Sequence, residues 1–169
     1  PKSKVNRTFF MAVFFATAWF VIEFITYFVP LGTAEQLINV EWICRVFVVA
    51  FSLNFALVFP RERKILTHKW GYLAIFAPAI VLSILMYNFM SGIETFYWGF
   101  APSLTFPVRL YVVYFVIYLF GVLYLFINAY QNPRSNIEKN QVRWLLYGSA
   151  PVIIYNLASA VIIPVSYTH

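Results

Sequence analysis

The stretch Thr8–Val29, which reads TFFMAVFFATAWFVIEFITYFV, decides the fold of this chain. It carries one charged residue, Glu23, among 22 residues. A helix needs roughly 20 mostly apolar residues to cross the hydrocarbon core of a bilayer. The stretch is therefore predicted to be a transmembrane helix that ends before Pro30 and Gly32, because proline and glycine favour helix ends.

Four more apolar runs have the same length and character. They span residues 36–59, 70–89, 108–130 and 141–163. The whole chain is 62% hydrophobic and only 11% charged, whereas a soluble domain carries about 25% charged residues. Buried helices of a soluble protein are the alternative, but no amphipathic segment is left to cover them. The sequence predicts an all-α integral membrane bundle of about five transmembrane helices, forming one domain over residues 1–169.

The basic residues lie in alternate loops. Ten of the 12 fall before the first run, between the second and third runs, or between the fourth run and the first turn of the fifth: Lys2, Lys4, Arg7, Arg61, Arg63, Lys64, Lys69, Arg134, Lys139 and Arg143. Loops rich in lysine and arginine stay on the cytoplasmic side. The amino terminus is therefore predicted inside and the carboxyl terminus outside.

The inventory of reactive side chains excludes most cofactors and enzyme classes. The histidines, His68 and His169, fall on opposite sides of the predicted membrane, so they cannot ligate a haem together. Every lysine lies outside the apolar runs, which excludes a retinal Schiff base. With one cysteine, Cys44, and no aspartate, no metal site is predicted. We expect no cofactor, no nucleic-acid partner and no enzyme activity of this chain itself.

A few ionisable groups lie at membrane depth in the outer half of the predicted bundle. By the helical rise, Glu23 lies about 9 Å and Arg45 about 13 Å inside their helices. Glu41 lies one turn from Arg45, so the two can pair along one helix face. Such groups are costly in lipid unless they are paired, and they usually face the bundle interior or a water-filled cavity.

These groups allow two main interpretations. One is an outward-facing pocket lined by Glu23, Glu41, Arg45 and Arg109, covered by the aromatic loop that contains Trp98, which would take a small amphipathic or peptide-like ligand. The other is a structural ion pair that fixes the first helix against the second. Snorkelling of the charged ends to the interface is a third possibility.

Other polar and helix-breaking residues inside the runs are expected to serve packing. Asn54, Asn128 and Asn156 are predicted to be structural polar groups that hydrogen-bond neighbouring helices. Pro78 and Pro151 are predicted to kink the third and fifth helices, because proline removes a backbone donor.

Two stretches carry a family resemblance. The first, Leu53–Arg63 (LNFALVFPRER), is a helix that ends in Phe-Pro before a basic run. The second runs from Asn132–Ser135 (NPRS) to Gln141–Gly148 (QVRWLLYG). Over roughly residues 36 to 160 the chain resembles the amino-terminal seven-transmembrane sensor region of bacterial and archaeal histidine kinases, of the quorum-sensing competence type. The resemblance implies helices two to six of seven, with one helix before residue 1 and one after residue 169.

The sequence thus favours a sensory module of a signal-transduction protein, in a bacterial or archaeal cytoplasmic membrane. It would bind a small or lipid-soluble signal in an outward-facing cavity, and its partners would be the lipid bilayer and a second copy or a larger complex. A linked cytoplasmic kinase is implied by the resemblance alone. The alternatives are a structural or accessory subunit of a membrane complex, for example in energy conversion, and a small transporter.

Overall fold

A computed structural model describes residues 3–89, 93–96, 99–102 and 105–149 of the chain. It confirms a polytopic helical bundle. Four of the described helices are long and apolar enough to cross a membrane. The helices are α1 (Lys4–Thr26), α2 (Leu31–Val58), a short 3-10 helix (Lys64–Thr67), α3 (Lys69–Phe89), α4 (Phe106–Gln131) and α5 (residues 136–149).

The long helices begin before the apolar runs that predicted them, while α1 ends at Thr26, three residues before the predicted end. Helix α2 begins at Leu31, five residues before the predicted start, and the Pro30 carbonyl accepts from the amides of Thr33 and Ala34 at 2.9 Å. Helix α1 begins at Lys4, where the Ser3 hydroxyl accepts from the Asn6 amide at 3.2 Å. Hydropathy marks only the lipid-covered part of a helix, whereas backbone hydrogen bonds also continue through polar end turns.

The chain divides into two compact units, Pro1–Leu123 and Tyr124–His169. In the first unit α2 is the central helix, since its buried side chains pack with residues of α3 and α4. The shared core includes Val46 and Ala50 of α2, Ala79 of α3, and Tyr114 and Tyr118 of α4. Helix α1 packs along α2 and exposes most of its phenylalanines, as lipid contact requires.

Between α3 and α4 the chain forms a small hairpin. Strands β1 (Ile93–Phe96) and β2 (Gly99–Pro102) pair antiparallel, with Ile93 opposite Pro102 and Phe96 opposite Gly99. The sequence predicted one long apolar loop between Asn88 and Pro107. Pairing the two strands satisfies backbone groups that such an apolar loop would otherwise have to leave to water.

In the second unit, α5 begins with reciprocal hydrogen bonds. The Ser135 hydroxyl accepts from the Glu138 amide, and the Glu138 carboxylate accepts from the Arg134 amide, both at 3.1 Å. This arrangement is similar to a capping box, which satisfies the free amides at a helix start. The helix accordingly begins at residue 136, five residues before the predicted run. Pro151 and Asn156 lie outside the described residues.

Helix α3 contains Pro78, which has no amide to offer the carbonyl of Ala74. Tyr118 of α4 contacts this turn from across the interface. Its hydroxyl donates to the Ile75 carbonyl at 2.8 Å and lies 3.4 Å from the Ala74 carbonyl. A tyrosine on one membrane helix therefore hydrogen-bonds the backbone of its neighbour in the turn that precedes the proline.

We expect Tyr118→Phe to lower the free energy of unfolding by about 1 kcal/mol, because it leaves a buried carbonyl without its donor. The matched control is Tyr124→Phe, since the Tyr124 side chain is 67% exposed. Thermal unfolding of both purified variants in detergent micelles measures the difference. Equal stabilities of the two variants would contradict the role given to the Tyr118 hydroxyl.

Candidate functional site

Arg45 lies in the middle of the central helix. It is 14 residues after Leu31 and 13 before Val58, so about 20 Å of helix extends on each side. The sequence predicted a depth of about 13 Å, because the predicted helix began later. Glu23 lies only three residues before the end of α1 at Thr26, or about 4.5 Å.

The structure brings Glu23, Glu41 and Arg45 together in an unequal arrangement. The Arg45 Nη2 atom is in direct contact with the Glu41 carboxylate, one turn away on the same helix. The same atom lies 3.7 Å from Glu23 Oε1 on α1. The Glu41 side chain is 5% exposed and that of Glu23 is 30% exposed. Arg45 is thus held tightly within α2 and loosely across to α1.

Two tryptophan rings flank the guanidinium group. Its central carbon lies 4.6 Å from the ring centre of Trp19 on α1 and 4.9 Å from that of Trp42 on α2. A guanidinium over the face of tryptophan is attracted by the ring's negative potential. Both tryptophans are buried. Together with Glu23, Glu41 and Arg45 they form what we call the charged cluster.

The two tryptophans were not predicted to belong to this site, although the sequence contains a signal for them. Trp19 precedes Glu23 by four residues, and Trp42 precedes Arg45 by three. These spacings place each tryptophan on the same helix face as its charged neighbour. A search for aromatic residues at helical spacing from the intramembrane charges would have found both.

The other two predicted pocket residues are Arg109 and Trp98. Arg109 is exposed in the first turn of α4, and within the described residues it is not in an ion pair. Trp98 lies outside the described residues. Helix α4 reaches the cluster through Tyr111 instead, whose ring packs edge-on against Trp42 with centres 5.1 Å apart.

Two of the cavities lined by described residues lie in the first unit, and the charged residues of the cluster line neither of them. One, of about 270 Å³, lies between α2 and α3 and has mostly apolar walls, including Phe47 and Ile84. The other, of about 430 Å³, lies at the end of the bundle where α1 begins. The outward-facing pocket therefore stays a prediction.

The three asparagines have different surroundings. Asn54 is 3% exposed on α2, and its Oδ1 atom has no hydrogen-bond partner among the described residues. The Asn128 side-chain oxygen accepts from Asn132 Nδ2 at 3.1 Å, one turn along the chain. Asn156 lies outside the described residues. The Oδ1 atom of Asn54 is thus a buried acceptor for which the described helices provide no donor.

Long apolar helices packed around α2, with an ion-paired cluster at membrane depth, define an integral membrane helix bundle. The chain matches the family model described as the N-terminal 7TM region of histidine kinase over residues 1–168, and it belongs to this family. Searches of curated proteins and of solved structures found no match.

The family membership confirms the resemblance that the sequence showed. The chain is a membrane-embedded sensory module of a signalling protein, in contact with a lipid bilayer. That it corresponds to helices two to six of the seven stays a prediction.

Proposed function

We propose that the charged cluster receives the signal. A small amphipathic or peptide-like molecule, entering from the outer face of a bacterial or archaeal cytoplasmic membrane, would compete for the contact between Arg45 and Glu23. The observation that carries this proposal is the inequality of the two carboxylates around one guanidinium group. The family membership supports the wider role of a sensor input region without catalytic activity.

Glu23 is the member of the cluster that a ligand can reach. Its distance of 3.7 Å from Arg45 exceeds the 2.7–3.2 Å of a good N–H···O hydrogen bond. Its carboxylate therefore keeps lone pairs for another donor, and its side chain is partly exposed. With both carboxylates ionised the three groups carry a net charge of −1, which suits a ligand with a cationic or hydrogen-bond-donating group.

Occupation of Glu23 would change how α1 is held against α2. The Arg45–Glu41 contact lies within one helix and is unaffected by relative movement of the helices, whereas the Arg45–Glu23 contact spans two. A ligand can shift such a packing equilibrium only by binding its two states with different affinity. A ligand that pairs with Glu23 has this property. In the state with α1 held against α2, Glu23 contacts Arg45, whereas in the state with α1 displaced Glu23 is free to bind the ligand.

Glu23→Gln in the full-length kinase is expected to raise the signal concentration needed for half-maximal autophosphorylation by about tenfold or more, since it removes a charge-assisted contact. The matched control is Glu35→Gln, which changes an exposed glutamate on α2. Autophosphorylation in membrane vesicles over a range of signal concentrations measures the effect. Arg45→Ala, the second variant, should also lose the response.

The amount of each variant in the membrane separates the two interpretations of the cluster. A normal amount of Glu23→Gln protein with a lost response supports the signal site. A normal response would refute it. Loss of the Glu23→Gln protein from the membrane would favour a purely structural ion pair. Assembly as a homodimer or within a larger complex stays a prediction.

A further inference from the structure

A second candidate site lies at the opposite end of the first unit from the α1–α2 turn. There, α1 begins, α2 ends and α3 begins, and we call this region the basic end. A cavity of about 430 Å³ opens among the three helices, within the range of ligand sites in proteins. Its lining includes Lys4 and Arg7 of α1, Asn54 and Phe51 of α2, and Phe76 of α3.

The lining changes from charged to apolar along the helices. Lys4 and Arg7 lie in the first turn of α1. Asn54 lies four residues, or about 6 Å, before the last residue of α2. Phe51 lies about 10 Å before the last residue of α2, and Phe76 about 10 Å after the first residue of α3. Cations, an amide and aromatic rings therefore follow one another in the order in which a phospholipid presents phosphate, ester and acyl chain.

Asn54 is the polar group that most needs a ligand here. It is 97% buried, and Oδ1 has no hydrogen-bond partner within the described chain. A buried amide without a partner is costly, and more so where lipid excludes water. Asn54 lines the cavity, and the NH2 group of its amide is a donor that an ester carbonyl in the cavity can accept from.

Arg7 supplies the charge for an anion. Lys4 is already paired with Glu62, with its Nζ 2.6 Å from Oε1. Arg7 is exposed and has no acidic partner in the part of the chain that the structure describes. Guanidinium groups bind phosphate through paired hydrogen bonds. An anionic group at the mouth of this cavity therefore meets a cation whose charge is not neutralised nearby.

We propose that the cavity at the basic end binds an anionic phospholipid from the adjoining leaflet. The phosphate contacts Arg7, the glycerol ester accepts a hydrogen bond from Asn54, and an acyl chain covers Phe51 and Phe76. The site is distinct from the charged cluster, since Lys4 and Arg7 lie at the start of α1 whereas Glu23 lies near its end, and no charged residue of the cluster lines the cavity. It does not depend on the function proposed for that cluster.

The test compares lipid retention by the full-length protein and its variants. Protein purified from equal mixtures of phosphatidylglycerol and phosphatidylcholine is examined by native mass spectrometry. The wild type should retain phosphatidylglycerol selectively. Arg7→Gln should lower its retention about tenfold, through loss of a charge-assisted contact, and Asn54→Leu about fivefold, through loss of a neutral one. Arg63→Gln is the matched control, because Arg63 follows α2 near the same end but does not line the cavity.

The results of these measurements either support or overturn lipid binding in the cavity at the basic end. Asn54→Leu removes an unpartnered polar group, so it should fold, and unchanged retention in this variant would overturn the proposal. Equal losses in Arg7→Gln and Arg63→Gln would also overturn it, since they would indicate general surface charge. Thermal stabilisation of the wild type by phosphatidylglycerol, but not by glycerol phosphate at the same concentration, supports a lipid. Equal stabilisation by both would show that the site takes a free phosphate group instead.

Discussion

Arg45→Met is expected to lower the free energy of unfolding by about 3–5 kcal/mol, because it leaves the Glu41 carboxylate buried without its counter-ion. Glu41 is 4% exposed, and its charge is compensated at contact distance by Arg45. Glu23 cannot replace the guanidinium group, since it is an acid. Methionine is close to arginine in length and apolar, so the variant removes the charge while leaving most of the packing against Trp19 and Trp42.

The double variant Arg45→Met, Glu41→Gln is the control. It removes both charges of the pair, and replacing a buried ion pair by neutral groups often costs little. We expect it to recover most of the stability that the single variant loses. Unfolding by sodium dodecyl sulfate in mixed micelles, followed by circular dichroism, measures all variants. A single variant as stable as the wild type, or a double variant less stable than the single, would show that the pair is not what holds Glu41 in the bundle.

Gly71→Ala is expected to cost about 3 kcal/mol, because the new methyl group has no space. A Cβ atom at this position would lie 1.9 Å from the backbone oxygen of Ile65 and 2.8 Å from its carbonyl carbon. Gly71 is buried in the first turn of α3, and the Ile65 carbonyl belongs to the preceding 3-10 helix. A backbone group cannot rotate aside as a side chain can, so the segment before α3 would have to move.

Gly32→Ala is the matched control for this substitution. Gly32 also lies in the first turn of a long helix, but a Cβ atom there would have nothing within 4 Å. Alanine should stabilise this position by about 0.5 kcal/mol, because it favours the helix more than glycine does. Thermal unfolding of the two variants in the same detergent should therefore move in opposite directions. If Gly71→Ala lowers the stability by no more than Gly32→Ala changes it, the backbone at Ile65 can move away from the new methyl group at little cost.

The sequence predicted an all-α membrane bundle because a bilayer restricts the secondary structure that an apolar chain can form. A run such as Thr8–Val29 can satisfy its backbone in lipid only as a helix, and the structure has a helix there. It could not predict where α2 begins, because the turn from Leu31 to Glu35 is helical without being uniformly apolar. Nor could it predict that β1 and β2 pair. The pairing depends on which residues of the two four-residue strands stand opposite each other, and hydropathy does not report this.

The charged residues of the candidate site could be predicted from the sequence, but the other residues that surround them could not. Helical rise placed Glu23 and Arg45 at comparable depths, and the two side chains meet in the structure. The rotation of each helix about its axis decides which other residues join them, and hydropathy does not report it. For the same reason the place of Arg109 in the site stays a prediction, while Trp19 and Trp42 were not expected there and flank Arg45. The partner of Asn54 was sought on a neighbouring helix, but its Oδ1 has none among the described residues.

The placement of the tryptophans also gives the protein an intrinsic optical probe. Trp19 and Trp42 are each 8% exposed beside Arg45, whereas Trp70 and Trp144 are 77% and 68% exposed. Brominated lipids or aqueous quenchers can suppress emission from the exposed pair while sparing the buried one. The remaining fluorescence then carries a contribution from the surroundings of Arg45, so movements of this cluster can be followed in the native protein without attaching a dye.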